Sequence, residues 1–138
     1  MIRHVTASIS TAFFSAYNAH DAAAAAALYS ADGTHEDVAV GHVNRGRQAI
    51  QEGLAHFLSC FPDAHWDVLG SIDAASASVG WYVLTGTLQE DFGPIAARGQ
   101  ALQIRGVQVM CHEGGVIQST SDYWDLATFQ RQMADSDR

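Results

Sequence analysis

Apolar positions along this chain follow two periods, first helical and then alternating. Val5, Ile9, Ala12, Phe13 and Ala16 repeat at helical spacing with Tyr17 close to the same face, which predicts a first helix over residues 3–18. Asp21 can cap a second helix, Ala22 to Tyr29, by accepting from the free amides of its first turn. The unbroken alanines of that stretch are a close-packed helix of high intrinsic propensity. Ser30-Ala31-Asp32-Gly33 reads as a turn, Thr34 to Val40 as a short strand, and Gly41 to Gly46 as a loop holding His42, Asn44 and Arg45. Ile50, Leu54, Phe57, Leu58 and Phe61 restore the helical period for a third helix over Arg47–Cys60, which Pro62-Asp63 breaks.

Strands are predicted over His65–Asp73, Ala77–Gln89, Gln100–His112 and Val116–Asp125, with Asp91-Phe92-Gly93-Pro94 separating the middle pair. Asp125 can cap a last short helix, Leu126 to Met133. Helices first and a run of strands later predict the α+β class: a curved antiparallel sheet wrapped around N-terminal helices. The open end of such a sheet holds a central pocket, the default ligand site. The length fits a single domain over residues 1–138.

The register of the last two strands decides which residues could share that pocket. A three-residue loop of Gly114, Gly115 and Val116 sets Gln108 opposite Asp122, Met110 opposite Thr120 and Gly106 opposite Trp124, all on one face. Val107, Val109, Cys111, Ser119, Ser121 and Tyr123 then share the other face. A two-residue Gly114-Gly115 turn would instead set Val107 opposite Asp122 and move Gln108 to the far side. The longer loop is preferred because it groups polar with polar and Val with Val. Asp122 is the residue to question: aspartate is a poor strand former, and on a buried face it needs a partner or a task. The plain alternative is a structural carboxylate satisfied by Arg105, a backbone amide or solvent at a sheet end.

Composition narrows the function classes. Of 138 residues 48% are apolar and 16% charged, an ordinary globular balance, and the net charge of −8 argues against nucleic acid and anionic membrane as partners. Cys60 and Cys111 show no metal or redox spacing, so two free thiols in a reducing compartment are expected. Ser8, Ser10, Thr11 and Ser15 interrupt the apolar N-terminal run, which argues against a signal peptide, and a cytoplasmic location is expected. His35 and Asp37 share one face of a strand, but no His-x-x-x-His or Cys-x-x-Cys spacing accompanies them, so no metal and no cofactor are expected.

HDAAAAAALYSADG, the GRQAI that opens the third helix, FPDAHW, WYVLTGT and SDYWDLATFQRQM together resemble the SnoaL-like branch of the nuclear transport factor 2-like superfamily. The resemblance spans nearly the whole chain in matching order. It implies a cone-shaped α+β fold, a homodimer packing the outer face of its sheet, and a small hydrophobic molecule as partner. In the polyketide cyclases of this branch an aspartate on the last strand is the acid/base of an intramolecular aldol closure, and Asp122 matches it. A histidine on the preceding strand accompanies that aspartate; here Gln108 stands in its place. Tyr17 matches an aromatic that lines their pocket.

A cofactor-free aldol closure needs a base for the proton alpha to a carbonyl, donors for the enolate oxygen, and walls that fold the substrate. Asp122 would be the acid/base and Gln108, which cannot titrate, a donor to an oxyanion or a water. Tyr17, His35, Phe57, Trp81 and Trp124 would line the site for a bulky, polyketide-like carbonyl compound. Isomerase or dehydratase chemistry would use the same residues, epoxide hydrolase chemistry on this fold would need Arg105 beside an aspartate in a different register, and a non-catalytic binding domain is the competing class. Arg105 is expected to face away from Asp122 and to pair with Asp125.

Overall fold

The computed structural model describes residues 8–134. Two N-terminal helices, α1 (Ile9–Asn18) and α2 (Ala22–Ala27), precede strands β1 (Tyr29–Asp37) and β2 (His42–Arg45). Helix α3 (Arg47–Cys60) leads into β3 (His65–Asp73), β4 (Ala77–Thr87), β5 (Ala101–Glu113) and β6 (Val116–Trp124), and α4 (Leu126–Ala134) follows. The six strands form one sheet in the order β2-β1-β6-β5-β4-β3. The α+β class and the helices gathered on one side of a curved, unclosed sheet are as the sequence predicts.

Side-chain caps set the helix starts. Ser8 accepts from the Thr11 amide at 2.9 Å, and Asp21 accepts from the Ala24 amide at 3.0 Å. The predicted start of the first helix at residue 3, with Val5 on its apolar face, lies outside the described residues. Asn18 fastens the end of α1 to the sheet by bonding both the backbone N–H and the C=O of Trp66, at 2.8 and 2.9 Å. Phe13, Phe14 and Tyr17 from α1 and Ile50, Leu54 and Leu58 from α3 are buried in one core with Tyr82, Leu84, Leu102 and Ile104 from the sheet. Phe14 presses onto Gly80, where a side chain would meet its ring. Burying rings such as Phe13 and Phe61, both fully enclosed, stabilises the fold by roughly 1.5–3 kcal/mol each.

Three expectations about the chain path are corrected. The helix expected to reach Tyr29 ends at Ala27, and β1 begins at Tyr29, so the expected turn at Ser30–Gly33 belongs to a strand. A register shift between Tyr29 and Thr34 marks where that strand bends. The expected loop at Gly41–Gly46 contains β2, which pairs antiparallel with β1 from Thr34↔Arg45 to Asp37↔His42. Strand β1 in turn runs parallel to β6, so the sheet is mixed where a purely antiparallel one was expected.

The hairpin of β5 and β6 resolves its register in an unexpected way. Its turn is the two-residue one: Glu113 pairs with Val116, and Gly114 and Gly115 both take positive φ, 60° and 82°, as a tight primed turn requires. A bulge between Cys111 and His112 then slips the ladder by one residue. Gln108↔Asp122, Met110↔Thr120 and Gly106↔Trp124 therefore pair as the longer loop predicted.

Candidate active site

The concave face of the sheet, α1 and α3 enclose a cavity of about 330 Å³ that His42, His56, Phe92 and Phe129 also line. Its walls are apolar: Ile50, Leu54 and Phe57 from α3, Leu84 from β4, Leu102 and Ile104 from β5, with Tyr17, Trp66 and Trp124. Three polar residues from neighbouring strands meet on one side of it. His35 and Asp37 come from β1, and Asp122 comes from β6. The parallel pairing brings them together, because Asp37 is the register partner of Asp122 and His35 that of Thr120.

Each of the three is held by a different neighbour. The Tyr82 hydroxyl donates to Asp122 Oδ1 at 2.5 Å. His35 Nδ1 is 2.6 Å from the Thr120 hydroxyl, which also lies 2.6 Å from the Tyr29 hydroxyl. That contact turns His35 Nε2 toward Asp37 Oδ1, 3.8 Å away, and the Trp124 indole N–H donates to the same oxygen at 3.4 Å. Gly106 makes room for Tyr82: a β-carbon there would run into the phenol ring and its oxygen.

The two carboxyls are driven in opposite directions. Burial pushes Asp122 up to about 7, against the pull of the Tyr82 hydrogen bond and the His35 charge, while Asp37 adds a smaller push of its own. Burial would raise Asp37 too, but the hydrogen bond and charge of His35, the Trp124 N–H and His42 outweigh it and hold Asp37 below its ordinary value. His35 is pulled down by burial and raised on balance by Asp37 and Asp122, which favours its charged form. Burial and then the Asp122 charge raise Tyr82, so its phenol stays protonated and donating. Near neutral pH the site therefore holds one ionised carboxyl, Asp37, and one, Asp122, that exchanges between its protonated and ionised forms. One donor atom each from His35, Asp37 and Asp122 lies within 4.8 Å of the others, a spacing a divalent cation could bridge. Each group already has a protein partner, and the surroundings of Asp122 disfavour the charge that a metal ligand needs.

Among the residues singled out from sequence, Tyr17, His35, Phe57, Asp122 and Trp124 line the cavity. Gln108 and Trp81 do not. Gln108 shares the inner face with Asp122 but is fully buried and does not reach the cavity, and neither of its amide atoms has a partner among the described residues. Trp81 pairs with Val107 on the opposite face of the sheet, lies over Gly70 and is 37% exposed, so its expected place on the cavity wall is corrected. The next residue, Tyr82, points inward instead. It was missed, as was Asp37 as a site residue. The glycine at 106, facing Tyr82 in register, was the available signal for the first. The alternation His35-x-Asp37 was the signal for the second. Arg105 is exposed, and among the described residues it forms no ion pair with Asp125, which instead caps α4 by accepting from Thr128.

The family model for the SnoaL-like domain matches residues 10–120. A proposed polyketide cyclase from Pseudomonas putida KT2440 has the same fold, with a TM-score of 0.84 and 23% identity over 95% of this chain and 100% of that one. A hypothetical protein with a ketosteroid isomerase-like fold from Catenulispora acidiphila DSM 44928, solved in complex with trimethylamine, gives 0.80 and 22% over 96% of each chain. A proposed SnoaL-like polyketide cyclase from Jannaschia sp. CCS1 gives 0.81 and 12% over 99% and 100%. No curated protein matches the chain. The structural likeness carries the fold, the sequence match carries the lineage, and on that match the chain belongs to the SnoaL-like domain family.

Proposed function

We propose that this protein performs cofactor-free acid/base chemistry on a bulky, hydrophobic, polyketide-like carbonyl compound, of the kind that closes a ring by an intramolecular aldol step. The observation that carries the reading is a carboxyl, Asp122, pushed up to about 7 on the wall of an aromatic-lined cavity and held by a phenol. A group with that affinity for protons can give and take one near neutral pH, where an ordinary aspartate is fully ionised. Flat side chains, Tyr17, Phe57, Trp66 and Trp124, suit a fused-ring or folded-chain substrate. The test is turnover: the protein should cyclise or isomerise at least one member of a panel of aromatic polyketide ketones, and Asp122→Asn should lose most of that activity. Binding without turnover across the panel would sink the enzymatic reading in favour of a binding domain.

In this reading the chain works as one SnoaL-like domain in a homodimer. The outer face of the sheet leaves Ile72, Trp81 and Tyr123 at 64%, 37% and 48% exposure, a surface suited to a second copy. The free Cys60 and Cys111 fit a reducing, cytoplasmic setting. Among the described residues no helix is long and apolar enough to cross a membrane.

A further inference from the structure

Strand β2 brings a second set of polar side chains to the cavity. His42 and Asn44 alternate onto one face of it, His42 beside Asp37 and Asn44 beside His35 in register, and both line the cavity. Asn44 Oδ1 lies 3.1 Å from His42 Nε2. An amide oxygen only accepts, so the imidazole donates, and this bond decides which way the amide faces. The amino group of Asn44 is left over, with no protein acceptor among the described residues.

Helix α3 is shaped to seat that amino group. Gly53 stands in the interior of the helix, where glycine is a poor helix former. It lines the cavity, and a β-carbon there would come within 2.5 Å of Asn44 Nδ2. The amide therefore lies in the notch that the missing side chain leaves. An unpaired donor fixed on a cavity wall from two sides, by His42 and by the helix, is a hydrogen bond offered to a ligand.

We propose that Asn44, oriented by His42 and seated on Gly53, binds a second oxygen of the substrate, remote from the carbon at which Asp122 acts. This rests on the acid/base reading above and adds to it a requirement on the substrate: an uncharged acceptor, a hydroxyl or a carbonyl, at the end away from the reacting carbonyl. The spacing sets how far away. Asn44 is two strands and two residues from Asp122, roughly 12 Å between backbone positions, and both side chains reach inward from a concave sheet. A fused two-ring compound with an oxygen at each end suits that span. The acceptor is uncharged because Asp37, the register partner of His42, is held in its ionised form and repels a carboxylate. Asn44 touches the substrate, and His42 is a positioning residue.

The test compares β-tetralone, an enolisable bicyclic ketone, with its forms hydroxylated at each aromatic position in turn. Affinity is read from tryptophan fluorescence, and exchange of the alpha protons in D₂O is followed by proton NMR. One hydroxylated form should bind the unmodified protein about fivefold more tightly than β-tetralone. The gain should lie in KM rather than kcat, since a bond far from the reacting carbon serves ground and transition states alike. Asn44→Ala should erase the preference. Gly53→Ala, which favours the helix and pushes the amide aside, should erase it as well, so the outcome does not hang on one variant folding. His42→Leu should weaken the preference and His42→Gln, which still donates, should restore it. A preference that survives both Asn44→Ala and Gly53→Ala overturns the assignment, as does the absence of any hydroxylated form that binds better than β-tetralone. A form carboxylated at the same position and bound more tightly still overturns the uncharged acceptor. The predicted preference without exchange of any member upholds Asn44 as a binding group and overturns the acid/base reading instead.

Discussion

The two faces of the central strands are built from adjacent residues and have nothing chemically in common. On the inner face, Tyr82, Asp122 and Trp124 are locked by hydrogen bonds and packing around the cavity. On the outer face, Trp81, Val107 and Tyr123 form a largely apolar patch, with Trp81 and Tyr123 exposed to solvent. Trp81 and Tyr82 differ by one position and by 36 percentage points of exposure, 37% against 1%. Side chains alternate faces at every residue of a β-strand, so parity alone sorts the exposed outer face from the cavity wall. The inner face pays for its chemistry in instability; the outer face carries none of that cost.

The hardest blow to this contrast falls at Gly106. Gly106→Val should drive Tyr82 off Asp122, lowering exchange activity about 100-fold and stability by about 3 kcal/mol in urea unfolding. Val107→Ala, one step away on the other face, should cost less than about 1 kcal/mol. Equal losses at both would mean that the faces are not functionally distinct.

Next comes the carboxyl itself. Because its folded value lies above the unfolded one, Asp122 weakens the fold as pH rises from about 4 to 7 and above, and not below that window. Asp122→Asn should therefore be more stable than the parent by about 2 kcal/mol at about pH 8 and gain nothing at about pH 3. A variant less stable than its parent at the higher pH would argue for an ion-paired, structural aspartate. A smaller effect should follow from Tyr82→Phe. The phenol favours the ionised carboxylate, so removing it should move the limb of the pH profile that Asp122 sets upward by about one pH unit; a limb that stays put would detach Tyr82 from Asp122. The least effect on the site should come from Trp81→Asp, which should turn a dimer into a monomer on sedimentation yet leave exchange within about twofold per chain. A large loss of exchange there would tie the cavity to the interface.

Much of this was legible in the residues, for local reasons. Helical spacing located α3 to the residue, and the alternation of β5 and β6 gave the pairing of Gln108 with Asp122. The turn was misread and the pairing still came out correctly, since the bulge at Cys111–His112 makes up the residue that the short turn removes. Such compensation leaves no periodic trace. Strand β2 was hidden because Gly41 and Gly46 bracket only four residues, with Val43 their single apolar side chain, and the alanine run carried the second helix two residues too far. Tyr82 and Asp37 were harder still. Their roles depend on which strands lie side by side, and the parallel neighbour of β6 comes from the other end of the chain.

That parallel pairing governs when the polar cluster of the cavity can first exist. His35 and the threonine that orients it stand 85 residues apart in sequence, whereas β5 and β6 meet through the Gly114-Gly115 turn. Closing the longer loop is entropically the more demanding event, and contacts of this separation form late. During synthesis the ribosome must release β6 before Asp37 can find Asp122 at all. A partly made chain can bury α1, α3 and β4 in an apolar shell, yet Asp37 gains Asp122 as its neighbour only when the sheet is complete.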